Sequence, residues 1–169
     1  MVWASRCDHP TRVVAKPLAS AGFLLIVALE PLDDGSRAAL IVIGLVLGAV
    51  GDVALLGQRD SAFLAGLGAF LFGHVAFAVA FGFDQGAVLE RVTGAVLGLV
   101  LAAVVFAWLR PHLEAPFSIA VPAYILVICV MVALAVGSGD AHPLAAVGAV
   151  LFAVSDLFVA RERFVLSAP

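Results

Sequence analysis

Charged side chains are scarce in this chain: 12% of its 169 residues are Asp, Glu, Lys or Arg, against about a quarter in an ordinary soluble domain. Its two cysteines, Cys7 and Cys129, form neither a disulfide framework nor a zinc-binding pattern. No cluster of basic residues offers a surface for nucleic acid. There is no Gly-x-Ser-x-Gly elbow, phosphate-binding glycine loop or dinucleotide fingerprint, which disfavours serine-hydrolase and nucleotide chemistry. Ser155 has no histidine near it in sequence and reads as a helper hydrogen-bonder beside Asp156. A metal site needs three or four ligands, and one histidine inside the apolar runs with two aspartates falls short, so no metal or other cofactor is expected.

What fills the chain is hydrocarbon: 64% hydrophobic residues and a mean hydropathy of +1.18 make it an integral membrane protein. Apolar stretches run at about Val13 to Leu32, Ala38 to Leu56, Ala62 to Phe83, Val88 to Leu109, Phe117 to Val136 and Pro143 to Ala160, each near the length an α-helix needs to cross a bilayer. The first is the weakest, since Lys16-Pro17 and Glu30-Pro31 trim its apolar middle to residues 18–29. A β-barrel would need runs of alternating apolar and polar residues, whereas these segments are continuously apolar. The expected architecture is all-α: a polytopic transmembrane helix bundle of six spans, in a single membrane domain covering residues 1–169. No cleavable signal peptide is expected ahead of the first span.

Arg6, Arg12, Lys16, Arg59, Arg110, Arg161 and Arg163 fall on the side that holds the N-terminus, against Arg37 and Arg91 on the other. The positive-inside rule then predicts cytoplasmic N- and C-termini.

Two spans bury an aspartate in the same phrase, GLVLGAVGD ending at Asp52 and GAVLFAVSD ending at Asp156. Hydrocarbon penalises each such carboxyl by a few kcal/mol even on the lenient insertion scale, so a matched pair points to use. If there are six spans, both helices run inward and the aspartates lie at nearly one depth, in the cytoplasmic half, where they could share a cavity. The glycine eight residues before each aspartate leaves a small surface for close helix approach, and the shared phrase suggests an internal repeat. His74 is the one histidine well inside a span, either a packing residue or an acid-base or substrate-orienting group. Tyr124, the chain's single tyrosine, follows Pro122, whose freed carbonyl permits a kink. Lys16, on the same side as the aspartates, could pair with a phosphate headgroup.

In order and spacing, Lys16-Pro-Leu18, Gly51-Asp52, Phe63, Gly66, Phe70-x-x-x-His74, Pro122-x-Tyr124, Met131 and Gly148-x-x-x-Phe152-x-x-Ser-Asp156 resemble the lysoplasmalogenase family of multispanning membrane proteins, the YhhN-like group. Members usually have about eight spans, where six are expected here. The resemblance implies a hydrolase acting on the vinyl-ether bond of lysolipids, with membrane lipids around it and Asp52, His74 and Asp156 as polar core positions. Paired carboxylates suit that chemistry, one protonating the β-carbon and the other stabilising the oxocarbenium ion or activating water. Lys16, Tyr124 and Ser155 are the candidate substrate-binding residues. A small proton- or cation-coupled transporter and a non-catalytic membrane scaffold are the alternatives.

Overall fold

The structure is a computed structural model that describes residues 18, 20–22, 24, 25, 29, 35–57, 59–83, 86–139 and 143–166. Among these there is no strand. Five helices, α1 (Ser36–Ala54), α2 (Asp60–Gly82), α3 (Val88–Leu109), α4 (Phe117–Gly137) and α5 (Pro143–Ala160), are long and apolar enough to cross a membrane. They agree with the expected spans to within two residues at every end. The remaining expected span, 13–32, falls largely outside the described residues, although 18, 20–22, 24, 25 and 29 are helical. Two compact units divide the chain, Met1–Phe77 and Ala78–Pro169.

In the first unit, α1 begins after Gly35, whose extended backbone (φ −101°, ψ 156°) turns the chain into the helix. It closes at Leu55–Gly57, where the Gly57 N–H donates to the Ala54 carbonyl at 3.0 Å. Asp60 stands in the first turn of α2, where a negative charge complements the helix dipole. Lipid tails are as apolar as leucine, so helices in a bilayer associate through close backbone approach more than through hydrophobic contrast. The α1–α2 pair is built that way. A Cβ placed on Gly44 would lie 2.7 Å from the Phe77 ring, and one on Gly51 2.7 Å from the Phe70 ring, so the two bare positions are notches that the two rings fill. From the other side, a Cβ on Gly73 would come within 3.1 Å of the Gly44 carbonyl oxygen.

In the second unit glycine brings the backbones closer still. A Cβ on Gly94 of α3 would meet the Ala133 carbonyl oxygen of α4 at 2.2 Å, so here backbone lies against backbone. At the start of α3 the Glu90 carboxylate accepts a 2.7 Å hydrogen bond from the Ala87 N–H, satisfying one of the helix's orphan donors. Helix α4 contains Pro122 and buries one broad face, including Val121, Tyr124, Ile125, Ile128 and Val132. Its opposite face carries Ile119, Leu126 and Val130 exposed, an apolar surface suited to lipid. Both faces are apolar, so burial and not polarity distinguishes them. Against α4, α5 presents the buried small residues Ala149 and Ala153. The chain then tightens into a π-helical turn, Arg161–Val165. There Phe164 packs edge-on to Phe117, with ring centres 5.3 Å apart, and the Arg163 guanidinium lies 5.6 Å from the centre of the Phe117 ring.

Candidate functional site

Asp52 and Asp156 belong to different units, and each is held inside its own. Asp52 is partly buried near the end of α1, one residue past the glycine notch that Phe70 fills. The step from Gly51 to Asp52 turns the carboxyl about 100° around the helix, away from α2 and toward the helical residues before α1. The Ser20 hydroxyl, from a residue 8% exposed, donates to Asp52 Oδ2 at 2.8 Å.

Asp156 is also partly buried, at positions three and seven along α5 from Ala153 and Ala149. Those spacings put all three on one helix face, so the small residues that let α5 approach α4 also aim the carboxyl at it. The Tyr124 hydroxyl donates to Asp156 Oδ2. Two residues singled out separately in the sequence therefore meet, and the phenol serves as the carboxylate's partner. Ser155 points elsewhere, onto the exposed side of α5.

His74 is 2% exposed in α2. Its Nδ1 lies 2.5 Å from the Phe70 carbonyl one turn earlier. A carbonyl only accepts, so Nδ1 carries the hydrogen, and in the neutral ring the basic lone pair is on Nε2. Phe70 thus does two jobs in the first unit, its ring closing the α1–α2 contact beside Asp52 and its carbonyl orienting the imidazole. Lys16 lies outside the described residues. Among the described residues, no three His, Cys, Asp or Glu side chains gather into a metal-ligating group.

Ser20 is the site residue that sequence reasoning passed over. In an apolar run a serine reads as packing, and the local motif gave it no distinction. The signal was long-range: Ser20 precedes Asp52 by 32 residues, as Tyr124 precedes Asp156.

Lysoplasmalogenase TMEM86A of Bos taurus is 34% identical over 155 residues, which take in 87% of this chain and 63% of that protein. The lysoplasmalogenase of Mycobacterium bovis is 34% identical over 160 residues, 88% of this chain and 59% of its own, and human lysoplasmalogenase TMEM86B is 31% identical over 153 residues, 90% and 62% respectively. The chain therefore spans roughly three-fifths of the length of these relatives. No solved structure matches it. The YhhN family model matches residues 11–169, nearly the whole sequence, and with that coverage the chain belongs to the YhhN family.

Proposed function

We propose that this protein hydrolyses the vinyl-ether bond of lysoplasmalogen-type lysolipids at the membrane, releasing a fatty aldehyde and a glycerophospho-headgroup. The observation that carries the reading is the pair of intramembrane aspartates, each held by a hydroxyl donor from another helical segment of its unit, in a family whose curated relatives are named lysoplasmalogenase.

The chemistry asks for little more than placed carboxyls. Transfer of a proton to the β-carbon of the vinyl ether gives an oxocarbenium ion, water adds at the α-carbon, and the hemiacetal collapses to aldehyde and alcohol. One water is consumed and the proton is returned. One aspartate donates the proton, and the other stabilises the cation and takes a proton from the attacking water. His74, with its basic nitrogen fixed at Nε2, orients the water, and Lys16 receives the phosphate of the headgroup. An orienting hydroxyl suits this division, because an acyl chain gives an enzyme few polar handles and precision has to come from the protein side.

The test is aldehyde release from a lysoplasmalogen by purified protein in detergent, beside folded Asp52→Asn and Asp156→Asn variants. Aldehyde from the parent and none from either variant is the expected result. Near-normal release from both variants would falsify the carboxylate mechanism, and none from well-folded parent would remove the assignment of substrate.

The seven-to-two sorting of basic residues supports placing both termini in the cytoplasm. A reporter that fluoresces only in the cytoplasm, fused after Pro169, should fluoresce. A dark fusion with normal membrane insertion reverses the orientation.

A further inference from the structure

The two hydroxyl-to-carboxylate pairs match in more than kind. Ser20 donates to the aspartate 32 residues later in the first unit, and Tyr124 donates to the aspartate 32 residues later in the second. A single shift of 104 residues carries Ser20 onto Tyr124 and Asp52 onto Asp156. The same shift carries Gly44 onto Gly148 and Arg59 onto Arg163. Apolar coincidences are cheap in a chain that is 64% hydrophobic. Glycine, aspartate and arginine at three fixed places, with a hydroxyl donor at a fourth, are not.

The elements agree with the shift. Residues 36–54 of α1 fall on 140–158, which takes in α5 up to its last two residues, with Gly35 before the one and Gly139 before the other. The helical residues around Ser20 fall on α4, which bears Tyr124. In each case a donor helix is followed by a carboxylate helix, which is the order a duplicated hairpin produces.

We propose that Ser20 and Tyr124 are corresponding positioning residues of a duplicated two-helix hairpin, each fixing the plane of one aspartate's carboxyl through a hydrogen bond to Oδ2. Resting on the vinyl-ether hydrolase reading, the proposal adds to it what holds each carboxyl in reacting position. A carboxyl turning freely about its last torsion presents its oxygens to the substrate only part of the time. A donor on one oxygen stops that rotation and points the other oxygen in a fixed direction. Serine and tyrosine do this equally well in principle, since the contact asks only for an O–H at the right distance. That is why the duplicated positions tolerate two side chains so different in size.

Two measurements on the intact protein test the proposal. The first needs no substrate. With aspartate labelled at its carboxyl carbon with carbon-13, the infrared bands of Asp52 and Asp156 are assigned by their loss in Asp52→Asn and Asp156→Asn. Ser20→Ala should move the Asp52 band and leave that of Asp156, and Tyr124→Phe should do the reverse. The second is kinetic. Each hydroxyl-free variant should lose about 10- to 100-fold in kcat, the scale expected when a reacting group is misplaced by about an ångström, while KM stays within about twofold. Ser20→Thr, which keeps the hydroxyl, should recover the Asp52 band and most of kcat, which a merely space-filling role for Ser20 does not predict.

Unmoved bands in Ser20→Ala and Tyr124→Phe overturn the proposal whatever the activity. Moved bands with unchanged kcat overturn the positioning role. Moved bands in the two variants of a well-folded parent that releases no aldehyde uphold the duplicated clamp and overturn the hydrolase reading instead.

Discussion

The two units solve the same problem, holding a carboxyl inside hydrocarbon, with different parts. A serine hydroxyl sits one bond beyond Cβ, whereas a tyrosine hydroxyl lies across a ring. Ser20 therefore reaches Asp52 only where two backbones pass close together, and Tyr124 reaches Asp156 across a wider gap that its own ring fills. Helix contacts differ in how closely the backbones come. The α1–α2 contact seats Phe70 and Phe77 in glycine notches, while the α3–α4 contact sets Gly94 against the backbone at Ala133. What recurs is the hydrogen bond to the carboxylate, and what varies is the spacing that delivers it. Polar satisfaction in a membrane is the stricter demand, because an unsatisfied group there has no water to fall back on.

The largest expected effect probes that likeness directly. Asp52→Asn and Asp156→Asn should each lower aldehyde release by about 100-fold or more, the range typical of losing a positioned proton donor or acceptor. If one variant falls that far and the other keeps most of its rate, the two units are alike in build and unlike in duty, and a one-carboxylate mechanism replaces the pair.

The glycines separate the units in stability. In Gly44→Ala the new methyl meets the far edge of the Phe77 ring at 2.7 Å, and a ring edge can swing aside. In Gly94→Ala it meets a backbone oxygen at 2.2 Å, so the helices themselves must part. Overpacking of that sort costs about 1–3 kcal/mol. Gly94→Ala should accordingly lower the melting temperature in detergent clearly more than Gly44→Ala. The opposite order would mean that the α1–α2 contact is the more rigid of the two.

Most of this fold was legible in the sequence, and for a simple reason. A continuous apolar run of the right length has one stable outcome in a bilayer, and the ends of the runs are marked by residues such as Asp60 and the Arg110-Pro111 pair. The carboxylates were equally plain, being expensive where they stand. What locates their partners is contact between segments, and helical periodicity is silent about that. Tyr124 and Asp156 both drew notice without being paired. Phe70 and His74 were read as motif spacing, although four residues is also the interval at which an imidazole reaches back to a carbonyl of its own helix. Ser20 was invisible to any local reading and becomes visible only when the chain is laid against itself at the interval that matches the two aspartates.

The smallest expected effect concerns the arginines seven residues past each aspartate, Arg59 and Arg163. They correspond by the same shift, yet their settings differ. Arg163 lies over the Phe117 ring, which also packs against the Phe164 ring, so its guanidinium helps close the end of the second unit. A cation over an aromatic face at a site of this exposure is worth about 0.5–1 kcal/mol. Arg59 is exposed, and its carbonyl accepts hydrogen bonds from the Ala62 and Phe63 N–H groups at 3.0 Å. A side-chain substitution leaves those bonds in place. Arg163→Gln should therefore lower the melting temperature by about 1–4 °C, as a fraction of a kcal/mol to one kcal/mol does in a chain of this size, and Arg59→Gln by less than that. Equal losses would place Arg59 against a partner of comparable strength and extend the likeness of the two units from their carboxylates to the residues just past their carboxylate helices. A loss confined to Arg163→Gln would limit that likeness to the hydroxyl–carboxylate pairs, where membrane burial enforces it.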